Sequence, residues 1–127
     1  MAMGERQSLE LWRRTMASYV RTSDTDLSAR QQAIFFTIAL QAGPHTVRGL
    51  AASFNLAKPA VTRALDTLEK QGFVRRRKDE NDLRSIFIER TVEGMDWLRN
   101  FSQLIIAAEA GREVTDTEAA ASKPRAA

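Results

Sequence analysis

The sequence of 127 residues contains no cysteine, which excludes disulfides, thiolate metal ligands and cysteine nucleophiles. It has one histidine, His45, so a metal site built on imidazole ligands is not expected. The longest mostly apolar run, residues 33–40, is far too short to cross a bilayer, and the charged first residues do not form a signal peptide. No nucleophile–base pair or phosphate-binding loop is present either. We therefore expect a cytoplasmic protein with no cofactor, no metal, no membrane partner and no enzymatic activity.

Positive charge is concentrated in the middle of the chain. Residues 44–90 contain ten Lys and Arg against six Asp and Glu, whereas residues 91–127 contain four against six. The net charge of the whole chain is only +3. A local basic surplus creates a field that favours a polyanion such as DNA.

Apolar residues at three- and four-residue steps predict five helices. They cover residues 5–21, 28–41, 47–54, 58–71 and 91–110. Strands at 73–77 and 85–89 enclose a polar turn and form a β-hairpin. Residues 111–127 lack apolar periodicity and are predicted to be a disordered tail. The predicted fold class is mainly α with a small β-hairpin (α+β), in one domain over residues 1–110.

Capping residues support these helix boundaries. Ser28 and Gln31 form a capping-box signature at the second helix. Thr46 suits the N-cap of the short third helix. Pro59 suits the first position of the fourth helix, where no N–H is needed, and Gly72 suits its C-cap. The third helix, its tight turn and the fourth helix form a helix-turn-helix, and the hairpin behind them makes a winged version.

The second helix of a helix-turn-helix enters the DNA major groove, with its outer face toward the bases. Here the inward side chains are predicted to be Val61, Leu65 and Leu68. On the opposite face Arg63 is the best candidate for a bidentate contact to guanine, worth about 1–3 kcal/mol of base discrimination. Thr62 suits a phosphate or a thymine methyl group, and Lys58 suits a phosphate.

The stretch VRRRKDENDLRSIFIER, residues 74–90, places a cationic run and an isolated arginine on the two sides of an acidic turn. Arg84 suits a minor-groove probe, because a narrow groove concentrates negative potential. A fork-shaped ion pair to Asp82 would direct its guanidinium. One strand face is assigned to phosphate and the other to solvent, with Arg75 and Arg77 on the first and Arg76 on the second. The alternative is that this segment is only a polar hairpin tip.

Trp12, Trp97 and Phe101 lie at helical spacing near the two ends of the chain. One interpretation is an aromatic ligand pocket. The other, which we favour, is a dimer core made by the first and last helices, because a wide apolar helix face must be buried. The predicted dimer interface consists of Leu9, Trp12, Met16, Trp97, Phe101 and Ile105. His45 is interpreted as a loop residue or a phosphate contact.

Residues 46–94 resemble the MarR family of bacterial transcription regulators. The matching motifs are GLA at 49–51, VTRALDTLEKQGFV at 61–74, D-x-R-S at 82–85 and T-x-x-G at 91–94. The resemblance implies a bacterial, cytoplasmic homodimer that is nucleoid-associated when bound to a quasi-palindromic operator. It implies a DNA-binding part over about residues 28–91, with dimerisation helices at about 5–21 and 91–110.

The resemblance also implies base readout from the start of the fourth helix and minor-groove insertion of Arg84, braced by Asp82. The predicted DNA-binding set is Thr46, Lys58, Pro59, Ala60, Thr62, Arg63, Arg75, Arg77, Asp82, Arg84 and Ser85. A small-molecule effector, often phenolic in this family, is a further implied partner. The sequence differs from the family at Ala57 and Pro59, where serine caps are common, and in its shorter C-terminal helical region.

Two functions remain open at this point. The first is a sequence-specific DNA-binding transcription regulator that acts as a homodimer on two half-sites about one helical turn apart. The rival is a winged-helix module that binds another protein and little DNA, which the acidic tip KDEND at 78–82 favours. The salt dependence of binding to random duplex DNA separates the two.

Overall fold

The computed structural model describes residues 2–82 and 84–115. The part of the predicted tail from residue 116 onward lies outside the described residues. The element order is α1 (Glu5–Thr22), α2 (Ala29–Leu40), α3 (Val47–Phe54), α4 (Lys58–Lys70), β1 (Val74–Lys78), β2 (Ile86–Arg90) and α5 (Val92–Glu109). The predicted fold class is confirmed, and every element lies within one residue of its predicted bounds. Within the described residues we find no helix with the length and apolar character needed to cross a bilayer.

Contacts within the chain group it into two compact units. The winged unit consists of residues 27–97, and the helical unit consists of the described residues of 1–26 and 98–127. Helix α5 contributes its first residues to the winged unit and the others to the helical unit. The predicted division into a DNA-binding part and dimerisation helices stays a prediction.

The core of the winged unit surrounds Phe35, which is completely buried. Its ring stacks on Phe73, with centroids 5.4 Å apart, and lies 5.7 Å from the ring of Trp97. The inward residues predicted for α4, Val61, Leu65 and Leu68, are all buried. On α2 the buried residues are Ile34, Phe35, Ile38 and Ala39. Each large apolar side chain buried in this way contributes about 1.5–3 kcal/mol. The core therefore fixes α4 through its inward, apolar face.

The predicted capping residues are confirmed. The Ser28 hydroxyl oxygen accepts from the Gln31 N–H at 3.1 Å, and the Gln31 side chain accepts from the Ser28 N–H at 2.9 Å. The Thr46 hydroxyl oxygen accepts from the Gly49 N–H at 3.0 Å. Gly72 follows α4 with a φ of 83°, a left-handed conformation that favours glycine. These residues fix where α2, α3 and α4 begin or end.

The hairpin is antiparallel, with Val74 opposite Arg90 and Lys78 opposite Ile86. On the other edge of β2, the Ile88 N–H donates to the His45 carbonyl oxygen at 2.9 Å. The Nε2 of His45 lies 2.9 Å from the carbonyl oxygen of Gln41. Because a carbonyl only accepts, this nitrogen carries the proton. The only histidine therefore stabilises the loop before α3.

One threonine joins three elements of the winged unit. The Thr91 hydroxyl donates to the Gly72 carbonyl oxygen at 2.6 Å and accepts from the Gly94 N–H at 2.9 Å. The Thr91 N–H donates to the Phe73 carbonyl oxygen at 3.2 Å. The end of α4, the end of the hairpin and the start of α5 thus meet at Thr91. A Cβ on Gly94 would collide with the Phe73 carbonyl, so only glycine allows this approach.

The helical unit packs α1 on the later residues of α5. The rings of Tyr19 and Phe101 meet edge to face with centroids 5.5 Å apart, and both are buried. On α1 the small polar residues Thr15 and Ser18 are buried as well. The Thr15 hydroxyl is satisfied by the carbonyl oxygen of Leu11 at 2.8 Å. The face that α1 buries in the single chain is therefore not its most apolar face.

The chain after α5 returns to α1. The Val114 N–H donates to the Ser18 hydroxyl oxygen at 2.8 Å. Glu113 forms an ion pair with Arg21 at 2.6 Å and another with Arg13 at 3.6 Å. The tail was predicted to begin at residue 111, but these contacts hold its first residues against α1.

The residues predicted for the dimer interface divide into two groups. The exposed group is Leu9, Trp12 and Ile105, with exposed fractions of 64%, 54% and 38%. Met16 is half-buried. Phe101 and Trp97 instead pack on aromatic rings within the chain. The interface itself stays a prediction, and its exposed part lies on α1 and at Ile105 of α5.

Candidate nucleic-acid interface

Helix α4 turns the face opposite the core toward solvent. Thr62 and Arg63 are exposed there, and so are Lys58 and Pro59 in the first turn, while Ala60 is half-buried. Across residues 2–82 and 84–115, the Arg63 guanidinium has no ion-pair partner. The structure therefore brings these five predicted residues together on one accessible side of α4.

A three-residue turn fixes α4 relative to α3. Asn55 adopts a left-handed conformation with a φ of 53°, which asparagine tolerates better than most residues. The Leu56 N–H donates to the Ala51 carbonyl oxygen at 2.9 Å. Ala57, the N-cap of α4, has no side-chain acceptor, and Pro59 occupies the first turn as predicted. The start of α4 is thus uncapped by any side chain at its N-cap position.

The α3 end of this region contains Thr46, which is half-buried and uses its hydroxyl oxygen as the N-cap of α3. Its hydroxyl hydrogen remains available to a phosphate. Arg48 lies in the first turn of α3 and is exposed. It was not in the predicted set, although a cation in the first helix of a helix-turn-helix is a recognisable signal, because that helix crosses the DNA backbone.

At the hairpin tip, Asp82 holds the turn through its carboxylate. One oxygen accepts from the main-chain N–H of Arg84 at 3.1 Å, and the other accepts from the Ser85 hydroxyl at 3.3 Å. The Ser85 N–H also donates to the Asp82 carbonyl oxygen at 2.9 Å. The contacts of the described residues do not include the predicted fork between Asp82 and the Arg84 guanidinium. Asp82 instead positions Arg84 through its main chain, and Arg84 is exposed.

The two arginines predicted to contact phosphate share one carboxylate. Arg75 Nη2 lies 3.1 Å from Oε2 of Glu89, and Arg77 Nε lies 2.6 Å from Oε1. The Arg77 guanidinium also lies over the Phe87 ring, 5.2 Å from its centroid, in cation–π geometry. The hydrogen bond from Arg77 lowers the pKa of Glu89 most, and that from Arg75 adds to it. This strand face therefore carries its own counter-charge.

Arg76 points the other way and contacts α4. Its Nη2 lies 2.8 Å from Oδ1 of Asp66, and its Nη1 lies 3.2 Å from Oε2 of Glu69. Only 27% of its side chain is exposed, so the prediction that this strand face turns to solvent is wrong. The alternation of side chains along a strand could have predicted this, because Arg76 lies on the same strand face as the buried Val74.

A cavity of about 490 Å³ lies beside the hairpin in the winged unit. Its walls come from the end of α2, the loop to His45, β2 and Arg77 of β1, and they include Glu89 and Arg90. Arg90 is engaged there, since its Nη1 donates to the Ala39 carbonyl oxygen at 2.6 Å. No residue of the aromatic trio considered as a ligand pocket lines it. The described residues contain no group of three or more His, Asp or Glu side chains that suits a metal ion.

Comparison with known proteins gives one family-model match. Residues 27–86 match the family model described as MarR family. The sequence matches no curated protein.

Three solved structures illustrate the likeness. S. aureus MepR in complex with DNA has a TM-score of 0.67 and 21% identity, over 82% of this chain and 82% of that chain. CouR from Rhodococcus jostii RHA1, bound to p-coumaroyl-CoA, has a TM-score of 0.60 and 25% identity, over 88% and 78%. BldR from Sulfolobus solfataricus has a TM-score of 0.58 and 22% identity, over 80% and 70%. These likenesses show the winged helix-turn-helix fold.

Proposed function

Since residues 27–86 match the MarR family model, we propose that the chain is a sequence-specific DNA-binding transcription regulator that acts as a homodimer on a quasi-palindromic operator. The observation that carries the proposal is the accessible outer face of α4. Thr62 and Arg63 are exposed on a helix whose other face is buried in the core. An α-helix fits the major groove, and an arginine placed there reads guanine through two parallel hydrogen bonds.

The hairpin supplies the second contact in this proposal. Arg84 is exposed at a tip whose turn is closed by Asp82, so its backbone is directed before DNA arrives. A narrow minor groove attracts such an arginine. Arg75 and Arg77 at the base of the hairpin are 68% and 51% exposed in their side chains, which leaves them accessible to phosphate. Phosphate contacts position the protein, and the α4 contacts specify the sequence.

A second copy of the chain is the proposed cover for the exposed apolar residues of the helical unit. Leu9 and Trp12 lie one turn apart on α1, and Ile105 lies on α5. A leucine and a tryptophan exposed one helical turn apart form a local apolar surface, and contiguous apolar surfaces mark interaction sites. A two-fold dimer would present two α4 helices to half-sites about 34–36 Å apart. The likeness to CouR, solved with p-coumaroyl-CoA, supports a small-molecule effector as a further partner.

The proposal is tested by selecting bound sequences from random duplex DNA and measuring Kd for the selected site and for a scrambled one. Arg63→Ala should lower the ratio between the two affinities about tenfold, because one bidentate base contact is lost. Arg6→Ala removes the same charge from an exposed position on α1 and serves as the matched control. An unchanged ratio in the Arg63→Ala protein would refute the assignment of base readout to Arg63.

The rival function, a winged module that binds another protein, is favoured by one observation. Glu89 already partners both Arg75 and Arg77, which weakens the field that this face offers to DNA. Under the rival, binding to random duplex DNA is absent at low salt or insensitive to salt. Under the proposed function, log Kd rises linearly with log salt concentration, with a slope of about 0.9 per phosphate contacted.

A further inference from the structure

We propose that Arg76 is a positioning residue that fixes the wing relative to α4, so that the two DNA-reading elements meet one duplex as a rigid pair. The inference rests on the proposed DNA-binding function and adds a specific residue to it. Arg76 itself touches no base in this account. It acts through the geometry between Arg63 on α4 and Arg84 on the wing.

The contact has the geometry of a strong brace. Arg76 extends from the middle of β1 and reaches two carboxylates three residues apart on α4, at 2.8 Å to Asp66 and 3.2 Å to Glu69. Residues three apart on a helix lie on the same side, so one planar guanidinium can donate to both. Charge-assisted bonds of this kind are stronger and more directional than neutral ones. The brace therefore restrains both the distance and the direction between β1 and α4.

Exposure distinguishes Arg76 from its neighbours. Its side chain is 27% exposed, against 68% for Arg75 and 51% for Arg77. Its terminal nitrogens already form ion pairs with α4, whereas Arg75 and Arg77 form ion pairs with one carboxylate of their own hairpin. Of the three arginines in the run, Arg76 is the least available to a phosphate and the one that links the hairpin to α4.

The position of the brace relates the two reading residues. Asp66 lies three residues after Arg63 on α4, so the brace attaches one turn from the proposed base contact. In the hairpin Arg76 lies opposite Ile88, whose side chain is fully buried. Burial of Ile88 therefore holds β2 in the core at the same position along the hairpin. Arg84 lies beyond this level, at the tip. The brace thus sets the base of the wing and leaves the tip to enter the groove.

Rigid pairing of two contacts has a thermodynamic consequence. When two binding elements are held in the bound geometry beforehand, the second contact forms without a further ordering cost. If the wing moved independently of α4, ordering it would cost part of the binding free energy that the Arg84 contact contributes. Arg76 should therefore matter for affinity only when Arg84 is present to use the geometry.

The test is a double-mutant cycle on the selected operator, with Kd measured for wild type, R76A, R84A and R76A/R84A. We expect R76A to weaken binding about tenfold in the wild-type background and less than about twofold in the R84A background. A direct phosphate contact by Arg76, or a general loss of folding, would give the same loss in both backgrounds. Equal losses would overturn the positioning role.

A second variant tests the brace from the other side and does not alter Arg76. D66N/E69Q removes two negative charges near the DNA, and on charge alone it should tighten binding. The positioning role predicts weaker binding instead. It also predicts that R76K does not recover the wild-type affinity that R76A loses, because a lysine lacks the fork. Tighter binding of D66N/E69Q would overturn the proposal. Failure of the wild type to bind any duplex would refute the proposed function itself, whereas specific binding with an additive cycle would refute only the role of Arg76.

Discussion

The main-chain N–H of Val114 donates a 2.8 Å hydrogen bond to the hydroxyl oxygen of Ser18, which is completely buried. Ser18 lies on the face of α1 that packs within the helical unit. The bond therefore attaches the chain that follows α5 to the interior side of α1. Glu113 adds an ion pair to Arg21 beside it.

Ser18→Ala should lower the free energy of unfolding by about 1–3 kcal/mol, because the Val114 N–H is left without its acceptor in a partly buried place. Urea unfolding followed by far-UV circular dichroism measures this. Ser8→Ala is the matched control on the same helix, since Ser8 is exposed and its change should stay within about 0.5 kcal/mol. Equal losses for the two variants would contradict the role assigned to Ser18.

Glu113 should make stability depend on pH in the acid range. The hydrogen bond from Arg21 is the main cause that lowers the pKa of Glu113 below its ordinary value of 4.5. A carboxylate with a depressed folded-state pKa stabilises the fold above its unfolded-state pKa, and this contribution disappears as the pH falls through the folded-state value. Glu113→Gln should therefore be less stable than wild type at pH 7, and the two should converge in urea unfolding as the pH falls below the folded-state pKa of Glu113. Glu109→Gln, the same change on exposed α5 surface, provides the control. A gap that stays constant with pH would rule out the ion pair as its source.

The turn at the wing tip separates two roles for Asp82. The Asp82 carboxylate accepts a hydrogen bond from the Arg84 N–H, and the side-chain oxygen of an asparagine can accept the same bond. Asp82→Asn should therefore keep operator affinity within about threefold, whereas Asp82→Ala should lose about tenfold. Gel-shift titration of the selected site gives both values. If Asp82→Asn loses as much as Asp82→Ala, the charge of Asp82 matters and the fork to the Arg84 guanidinium forms on DNA.

Glu89→Gln should tighten binding to random duplex DNA by about threefold, because Arg75 and Arg77 lose the carboxylate they share. The salt slope should steepen by about 0.9 for each phosphate gained. Fluorescence anisotropy over a salt series measures both quantities. Glu109→Gln makes the same charge change in the helical unit. Identical affinities for the two variants would mean that these arginines do not contact phosphate.

Local signals made the elements predictable. The capping box of Ser28 and Gln31, the N-cap Thr46 and the glycine after α4 act through bonds within three or four residues, and such bonds are written in the local sequence. The inward face of α4 was equally predictable, because apolar residues at helical spacing leave only one face for the core.

Contacts between elements were harder to predict. Arg76 meets Asp66 and Glu69 across ten and seven residues, and no local pattern states which carboxylates a strand arginine will reach. On α1 the sequence analysis considered only the apolar residues at helical spacing, which it assigned to the dimer interface. It did not predict that α1 buries Thr15 and Ser18 within the single chain. Small side chains let two helices approach closely, and the hydroxyl of Ser18 serves the returning chain. At Asp82 a main-chain N–H two residues away competed successfully with the guanidinium, since it needs no long side chain to be ordered.

The three bonds of Thr91 separate the hairpin into a fixed base and a tip that folds on its own bonds. The base is tied to α4 and α5, whereas the described bonds of the tip join Asp79, Asn81, Asp82, Arg84 and Ser85 to one another. A turn taken from another protein can therefore replace this one without disturbing α4. Under the proposed function, exchange of this short loop gives a route to regulators with new groove preferences on an unchanged scaffold.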